Sequence, residues 1–255
     1  MRKRFESKVA LVTGGTSGLG RDAAIAFAKE GAAVVVTGRR IKEGEETVEM
    51  AKKAGGIATF IQADLSNPGD IETMVRACTK IYGGLDCALN NAGIDGTIRT
   101  PLIEYSLEVW NQVMAVNLTG MFLCMKYEIA EMLKRGSGSI VNMGAVASQK
   151  ASPVIGVAYI TSKHGVVGLT QTGAIEYADK GIRVNAVCPG IIRTPLSDRT
   201  LLSNEEMRKR AQSLHPIGRV GEPEEVSNLV LWLCSDEASF VTGAIIPVDG
   251  GFLLR

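Results

Sequence analysis

The sequence predicts a doubly wound α/β fold, in which helices cover both faces of a parallel sheet of about seven strands. Three observations lead to this prediction. Short apolar runs alternate with helix-length amphipathic segments along almost all of the 255 residues. The short runs consist mainly of valine, isoleucine and alanine, as expected for strands that are buried on both faces. Glycine is abundant, with 29 residues, or about 11% of the chain against a usual ~7%, so the backbone must turn tightly at several points.

The first strand–helix–strand unit shows how the elements are assigned. Val9–Val12 is a short apolar run, which predicts a buried strand. Arg21–Lys29 has apolar residues at helical spacing, and Gly31 stands where a helix C-cap glycine belongs. Ala32–Thr37 predicts the second strand, and Glu43–Lys53 predicts a helix with a polar face.

The same alternation continues to the end of the chain. Five further strands are predicted, at Ala58–Gln62, Leu85–Leu89, Ser139–Met143, Ile182–Val187 and Ala244–Val248. Four further helices are predicted, at Ile71–Tyr82, Leu107–Lys134, Tyr159–Tyr177 and Pro223–Leu233. We expect the long helix over 107–134 to be broken once. Because no linker-like segment interrupts this order, residues 1–255 are predicted to form a single domain.

One long, polar segment over Ile191–Gly221 is predicted to be irregular. It follows the carboxyl end of a strand, where ligands bind in open α/β sheets. We therefore expect residues 191–221 to form a lid over a substrate. The alternative is a pair of surface helices without a role.

Composition argues against several classes of protein. The chain has 28 Lys and Arg residues and 27 Asp and Glu residues, a balance that argues against nucleic-acid binding. No run of 18 uncharged apolar residues occurs, so no membrane span is predicted, and the N-terminal apolar run is too short for a signal peptide. Five cysteines without a CxxC pair favour a reducing, cytoplasmic compartment. The two histidines are not spaced as metal ligands, and no metal site is predicted.

A glycine-rich turn joins the first predicted strand to the first predicted helix. Its sequence, TGGTSGLG, places glycines at Gly14, Gly18 and Gly20. Gly14 permits a tight turn, and the later glycines let the backbone and the helix N-terminus approach a pyrophosphate. In this strand–turn–helix position the pattern predicts a Rossmann-type dinucleotide-binding site. The alternative is an ordinary glycine-rich turn.

The end of the second predicted strand indicates which dinucleotide binds. It reads TGRR, with Gly38 where an NAD-binding site places an acidic residue, followed by Arg39. A carboxylate would repel a 2′-phosphate, whereas a guanidinium can bind one through two charge-assisted hydrogen bonds. The pattern therefore favours NADP(H) over NAD(H). The alternative is that Arg39 and Arg40 are solvated surface charges.

The order of the motifs resembles the short-chain dehydrogenase/reductase family over essentially the whole chain. TGGTSGLG has the TGxxxGxG form of that family. It is followed by NNAG at Asn90–Gly93, by Asn117, by YxxxK at Tyr159–Lys163, by PGIIRT at Pro189–Thr194 and by DGG at Asp249–Gly251. The resemblance is to the short, single-domain branch, and it implies a homo-oligomer, commonly a tetramer.

The resemblance also implies which residues contact the cofactor. Asp64 is expected near the adenine, and Ile192 and Thr194 are expected at the nicotinamide end. The full set of expected cofactor-binding residues is Gly14, Thr16, Ser17, Gly18, Leu19, Gly20, Arg39, Asp64, Leu65, Asn91, Ala92, Gly93, Tyr159, Lys163, Pro189, Gly190, Ile192 and Thr194.

Tyr159, Lys163 and Asn117 are the expected catalytic residues. The first two are four apart in a predicted helix, so their side chains project from one face. A free tyrosine has a pKa of about 10, and we expect the nearby ammonium to lower that pKa. Such a pair can give a proton to a carbonyl oxygen or take one from an alcohol. The resemblance implies that Lys163 also binds the nicotinamide ribose, and that Asn117 opens a helix kink and carries a water-mediated proton path. The alternative for Asn117 is a helix residue bonded to a neighbouring strand.

The sequence departs from the family in IVNMGAVASQ, where Ala145 occupies the position of the usual serine. The serine hydroxyl stabilises the substrate oxygen in the family, and loss of one such donor costs about 10²–10³ in rate. Three interpretations are open. Ser148 or Ser152 replaces the hydroxyl, or the alanine is a deliberate substitution made to trap a complex, or the protein is a weakened enzyme with a binding or regulatory role.

Together these features predict an NADP(H)-dependent oxidoreductase that interconverts a ketone or aldehyde and an alcohol. The alternative is an NADP(H)-binding protein of the same fold with weak or no turnover, because position 145 lacks the hydroxyl. A nucleotide-sugar epimerase shares YxxxK, but such chains are longer and carry a C-terminal substrate domain. The expected partner is a small carbonyl or alcohol substrate, without nucleic acid or membrane, and the sequence does not identify that substrate.

Overall fold

The structure is a computed structural model that describes residues 3–255. Within this range seven strands form one parallel sheet. They are β1 Val9–Val12, β2 Ala33–Gly38, β3 Ile57–Gln62, β4 Cys87–Asn90, β5 Gly138–Met143, β6 Ile182–Pro189 and β7 Ile245–Val248. Their order across the sheet is β3-β2-β1-β4-β5-β6-β7. The strand order therefore reverses between β1 and β4, and the predicted doubly wound, Rossmann-type fold is confirmed.

Nine α-helices occupy the part of the chain that the structure describes. They are α1 Gly18–Lys29, α2 Ile41–Lys53, α3 Pro68–Tyr82, α4 Leu107–Met114, α5 Met121–Arg135, α6 Val157–Tyr177, α7 Pro195–Arg199, α8 Glu205–Ser213 and α9 Pro223–Cys234. Helices α1, α2 and α9 cover one face of the sheet, and α3, α5 and α6 cover the other. In β1, Ala10 and Val12 pack on the first face while Val9 and Leu11 pack on the second, so both side-chain sets of the strand are buried.

The long helical stretch before β5 is broken, as the sequence predicts. Helices α4 and α5 are separated by a π-helical turn at Ala115–Gly120, a feature that often occurs at functional sites. Leu107–Arg135 is long and apolar enough to cross a membrane, but half of its most apolar stretch is buried inside the protein. Its buried apolar side chains pack in the core on the second sheet face, among them Cys124, Ile129 and Met132. Core packing therefore accounts for its apolar character.

Residues 191–221 are more regular than the sequence suggests, because they contain α7 and α8. Each helix begins at a side-chain cap: Thr194 Oγ1 accepts a hydrogen bond from Ser197 N–H, and Asn204 Oδ1 accepts one from Met207 N–H. A small apolar cluster of Leu202, Ala211 and Val220 lies between them. Both helices are short, so their apolar periodicity is too brief to be recognised from the sequence.

A polar network crosses the core beneath β4 and β5. Glu128 of α5 is completely buried. Asn90 Nδ2 donates to Glu128 Oε2 at 2.9 Å and to Asn142 Oδ1 at 3.1 Å, and Asn142 Nδ2 donates to Thr170 Oγ1 at 3.0 Å. Burial raises the pKa of Glu128 to about 7, although the hydrogen bond from Asn90 opposes the shift. The protonated carboxyl group is therefore the form that the fold favours.

This raised pKa gives a pH-dependent stability prediction. The unfolded chain releases the Glu128 proton near the ordinary glutamate pKa of 4.5, whereas the folded chain keeps it up to a pKa of about 7. Stability therefore falls between these two pH values and stays lower above them. Glu128→Gln, which cannot ionise, is expected to raise the free energy of unfolding at pH 8 by on the order of 2–3 kcal/mol.

Chemical denaturation at pH 8 and pH 4 measures the effect, which should be nearly absent at pH 4. Glu131→Gln is the matched control, because that glutamate lies one turn further along α5 and pairs with Lys134 near the surface. An equal effect of Glu128→Gln at both pH values would show that packing, and not ionisation, is responsible.

Candidate functional site

The turn between β1 and α1 comes unusually close to its neighbours. Gly14 and Gly18 have positive φ angles of 65° and 54°. A Cβ on Gly14 would lie 2.8 Å from Ala92 Cα, and a Cβ on Gly20 would overlap the Gly14 carbonyl oxygen. These three positions therefore require glycine, and Leu19 begins α1 together with Gly18 and Gly20. The N-terminus of α1 faces the crevice that opens where β1 and β4 end.

The segment after β4 is hydrogen-bonded to this turn. Asn91 N–H and Ala92 N–H donate to Thr13 Oγ1 at 2.9 and 3.2 Å. Asn91 Nδ2 donates to the carbonyl oxygens of Thr13, at 3.0 Å, and of Gly14, at 3.3 Å. Gly93 comes next, and a Cβ there would lie 3.8 Å from Lys163 Nζ. The NNAG motif thus joins the glycine-rich turn to the predicted catalytic lysine.

The end of β2 forms a basic corner beside the same turn. A Cβ on Gly38 would lie 2.7 Å from Thr16 Cγ2, so an acidic side chain does not fit there without displacing Thr16. Arg40 Nη2 donates to Thr16 Oγ1 at 2.9 Å and to Ser17 Oγ at 2.8 Å. The Arg39 side chain is 61% exposed, with Nη1 3.8 Å from Asp64 Oδ2. Arg40 and two hydroxyls therefore meet at this corner, and the exposed Arg39 guanidinium extends from the same strand end toward Asp64.

Asp64 and Leu65 follow β3 at the far side of this corner. The Asp64 carboxylate accepts hydrogen bonds from Ser66 N–H, at 3.0 Å, and from Ser66 Oγ, at 2.8 Å. Burial acts to raise the pKa of Asp64, but these two bonds and the Arg39 guanidinium lower it overall. The carbonyl oxygen of Leu65 leaves no room for a side chain at Gly120 in the π-helical turn. The residues expected at the adenine are thus fixed by local bonds.

Tyr159 and Lys163 lie on one face of α6, as the sequence predicts. Lys163 is 3% exposed, and its Nζ donates to the Met143 carbonyl oxygen at the end of β5 at 2.7 Å. The same Nζ lies 5.5 Å from the centroid of the Tyr159 ring. Within residues 3–255 the Tyr159 hydroxyl has no hydrogen-bond partner, which leaves it available to a substrate.

The electrostatics of this pair differ from the expectation. Burial raises the pKa of Tyr159, and the acidic groups of Asp95 and Cys188 raise it further. Burial also lowers the pKa of Lys163 to about 8, against the opposing effects of Cys188 and Asp95. The expectation that Lys163 lowers the pKa of Tyr159 is therefore wrong in this structure. Desolvation of the phenol outweighs an ammonium group that is directed mainly at a carbonyl oxygen.

Asn117 lies in the π-helical turn and is completely buried. Its Oδ1 accepts from Ile94 N–H at 2.8 Å, and its Nδ2 donates to Ile94 O at 2.9 Å and to Ser162 Oγ at 3.2 Å. Ser162 Oγ in turn donates to the carbonyl oxygen of Tyr159 at 2.8 Å. The expected kink is thus present. The asparagine bonds to the loop after β4 and connects that loop to the helix that carries Tyr159.

The segment after β5 shows where the candidate hydroxyls lie. Ala145 is partly exposed, whereas Ser148 is only 3% exposed. Ser148 Oγ accepts a hydrogen bond from Ala145 N–H at 3.1 Å, and Ser152 Oγ accepts one from Val154 N–H at 3.2 Å. Both hydroxyls thus accept hydrogen bonds from the local backbone, and Ser148 is buried beneath the segment that contains Ala145.

The PGIIRT motif begins at the last residue of β6, and its Thr194 lies next to the glycine-rich turn. A Cβ on Gly18 would touch the Thr194 side chain at 3.5 Å, and Ile192 is buried in the core near α9. The backbone at Pro189 and Gly190 is fixed by buried His215, whose Nε2 accepts from Ile191 N–H at 3.1 Å. His215 Nδ1 lies 2.7 Å from the carbonyl oxygen of Ala211 in α8. This histidine therefore joins the motif to the 191–221 segment.

The residues present fit a dinucleotide. The turn after β1 has no room for side chains at Gly14 and Gly20, so its backbone is open to a pyrophosphate. The hydroxyls of Thr16 and Ser17, with Arg39 and Arg40, suit a 2′-phosphate. Sequence reasoning missed Arg40, Asp95, Ser162 and Cys188 as parts of the site. The second arginine of TGRR was the one available signal, and the others depend on tertiary contacts.

Comparison with known proteins identifies relatives over nearly the full chain. A family profile described as enoyl-(acyl carrier protein) reductase matches residues 14–253. Cyclohexanol dehydrogenase from Acinetobacter sp. (strain SE19) is 42% identical in a match that covers 99% of this chain and 97% of that protein.

Solved structures share the architecture. Levodione reductase superposes with a TM-score of 0.94 at 35% identity, and the match covers 99% of this chain and 100% of the other. A structure from Agrobacterium tumefaciens with bound NADP superposes with a TM-score of 0.89 at 34% identity, over 100% of this chain and 99% of the other. These identities are high enough for the likeness to extend beyond the fold to the family.

Proposed function

The chain belongs to the short-chain dehydrogenase/reductase family of oxidoreductases, and from this we propose that it interconverts a ketone or aldehyde and an alcohol with NADP(H). The observation that carries the proposal is the pairing of Tyr159 with buried Lys163, whose Nζ lies 5.5 Å from the centroid of the tyrosine ring and contacts Gly93 of the loop after β4. The relative named a cyclohexanol dehydrogenase supports a small alcohol or ketone as substrate. The neighbour with bound NADP supports the cofactor.

The basic corner is the reason to prefer NADP(H) over NAD(H). Arg39 and Arg40 bring two positive charges to the end of β2, and Gly38 supplies no carboxylate that would oppose them. A 2′-phosphate would accept charge-assisted hydrogen bonds from both guanidinium groups. Thr16 and Ser17 accept hydrogen bonds from Arg40 and so fix the position of its guanidinium group at this corner.

When bound, NADPH supplies the hydride, and the chain orients the reactants and moves the proton. Tyr159 Oη gives its proton to the carbonyl oxygen in reduction and takes it back in oxidation. Because the pKa of Tyr159 is raised, the phenol is protonated at neutral pH, as reduction requires. Lys163 Nζ is hydrogen-bonded to Met143 O, and its remaining N–H groups are available to the nicotinamide ribose.

A second candidate function is an NADP(H)-binding protein with weak or no turnover. One observation favours it: Ala145 presents a methyl group where a donor would stabilise the substrate oxygen, and Ser148 is only 3% exposed, with its Oγ bonded to Ala145 N–H. In this case NADP(H) would bind as tightly as it does to an active enzyme of this fold. The reaction would be slow, because Tyr159 alone would stabilise the substrate oxygen.

Three further properties complete the proposal. Residues 191–221 act as the substrate lid, since His215 links α8 to the cofactor loop. The chain forms a homo-oligomer, a tetramer in the proposal, through exposed apolar side chains such as Leu107, Phe122 and Ile175. It works in the cytoplasm, where its five buried free cysteines stay reduced.

Cofactor preference is the first prediction from this site. The unmodified protein should bind NADPH more tightly than NADH. Arg39→Ala should weaken NADPH binding by about 10- to 100-fold, the equivalent of ~1.5–3 kcal/mol for a bond to a charged group, and should leave NADH binding nearly unchanged. Fluorescence titration measures both affinities. Lys42→Ala is the control, because it removes an exposed charge from nearby α2. Equal affinities of the unmodified protein for the two cofactors would refute the preference.

The role of Tyr159 gives the second prediction. Tyr159→Phe keeps the ring and removes the hydroxyl, so kcat should fall by about 10²-fold or more while NADPH affinity and the circular dichroism spectrum stay unchanged. Tyr177→Phe, near the end of the same helix, is the control and should retain full activity. A Tyr159→Phe variant with an unaltered rate would rule out the acid/base role.

The alanine at position 145 gives the third prediction. Ala145→Ser should raise kcat by about tenfold, since a partly aligned donor contributes ~1.4 kcal/mol or more to a developing oxyanion. Ser148→Ala should leave kcat within about threefold and lower stability by ~1 kcal/mol, because it removes the bond to Ala145 N–H. Steady-state kinetics and denaturation measure the two effects. A large rate loss in Ser148→Ala, with no gain in Ala145→Ser, would mean that Ser148 already acts on the substrate.

A further inference from the structure

The loop after β4 brings an acidic side chain to the catalytic pair. Gly93 lies against Lys163, since a Cβ at Gly93 would be 3.8 Å from Lys163 Nζ. Both backbone groups of Ile94 are bonded to the Asn117 amide, at 2.8 and 2.9 Å. Asp95 follows directly on these two fixed residues. Its backbone position is therefore set by the same contacts that hold the lysine and the π-helical turn together.

The far side of this acidic residue is fixed as well. Thr97 N–H donates to Tyr105 Oη at 3.3 Å, and the Thr97 carbonyl oxygen leaves no room for a side chain on Gly156, which precedes α6. Asp95 is thus held between Lys163 and the first turn of α6, the turn that carries Tyr159.

The Asp95 carboxylate is half-buried and has no donor of its own. Within the described residues 3–255 it accepts no hydrogen bond and forms no salt bridge. Burial raises the pKa of Asp95, and the Lys163 ammonium opposes that shift. The Lys163 Nζ is itself bonded to Met143 O. The carboxylate oxygens are therefore open to a donor from solvent or from a bound molecule.

We propose that Asp95 is a specificity-determining residue that accepts a hydrogen bond from a second hydroxyl group of the substrate, so that the site prefers diols and hydroxy ketones to simple alcohols and ketones. The inference rests on the proposed function, because Tyr159 must hold the reacting oxygen. A carboxylate pairs with a hydroxyl through a strong, charge-assisted hydrogen bond. A site built to bond a hydroxyl discriminates strongly against an analogue that lacks it, because its own polar group is then left unpaired.

Cyclohexanol and the 1,2-, 1,3- and 1,4-cyclohexanediols test this assignment, since they differ by one hydroxyl. With NADP⁺, at least one diol should have a kcat/KM about tenfold or more above that of cyclohexanol. Asp95→Ala should reduce this ratio to within about threefold. The ratio is the readout because the influence of Asp95 on the pKa of Tyr159 affects all four alcohols and cancels. Asp179→Ala, an exposed aspartate beyond the end of α6, should keep the ratio.

The outcomes separate this inference from the proposed function. Activity without a diol preference, or a preference that survives in Asp95→Ala, overturns the role of Asp95 and leaves the oxidoreductase proposal intact. If none of the alcohols is oxidised, the proposed function fails for this class. Ligand-detected NMR of the same alcohols with NADP⁺-loaded Tyr159→Phe then decides the inference. Diol binding that is stronger than cyclohexanol binding and depends on Asp95 supports it, and equal binding overturns it.

Discussion

The contact between the glycine-rich turn and the loop after β4 is the constraint on which the site depends. Asn91 donates two hydrogen bonds to Thr13, to its Oγ1 and its carbonyl oxygen, across the point where the strand order reverses. Gly14 lies against Ala92 with no space for a side chain. Because β1 and β4 lead to helices on opposite faces of the sheet, a crevice opens beyond this contact. The phosphate-binding turn, the cofactor-lining loop and, through Gly93, the catalytic lysine are all positioned from it.

Several buried ionisable groups near this contact lower the stability of the folded chain, and two of them belong to the candidate site. Lys163 is desolvated, so its pKa falls to about 8, and Asp95 is partly desolvated without a donor. Beneath the strands, Glu128 is buried with one oxygen that has no partner among the described residues. Such groups persist because the surrounding helices and sheet bury enough apolar surface to hold them in place.

The fold was predictable from the sequence because its signals are local. Apolar runs marked every strand boundary to within two residues, and Gly14, Gly18 and Gly20 marked the turn, since their backbone geometry depends on neighbouring residues alone. The rest depends on distant contacts. Arg40 was visible as the second arginine of TGRR, but its bonds back to Thr16 and Ser17 depend on the tertiary structure. Glu128 looks like a surface glutamate of an amphipathic helix, and only the position of α5 on the sheet buries it.

The pKa of Tyr159 shows the same limit in electrostatic form. Its spacing from Lys163 was predictable, but burial and Asp95 reverse the sign of the expected shift. Asp95 is distant in sequence from Tyr159, and the residue before it, Ile94, is held by Asn117 through both backbone groups. An asparagine in a different helix thus helps to position one of the groups that raise the pKa of the tyrosine.

The same arrangement bears on the alanine at position 145. A hydroxyl at that position would contribute a second donor to the substrate oxygen and would also help to fix the substrate. Ala145 supplies neither effect. A substrate that is held by Tyr159 at one oxygen and by Asp95 at a second hydroxyl is restrained at two points, so its reacting carbon is oriented without help from position 145. Orientation through Asp95 then offsets part of the lost electrostatic stabilisation, and it does so only for substrates that carry the second hydroxyl. The substitution that weakens the site for simple alcohols would thereby sharpen its selectivity.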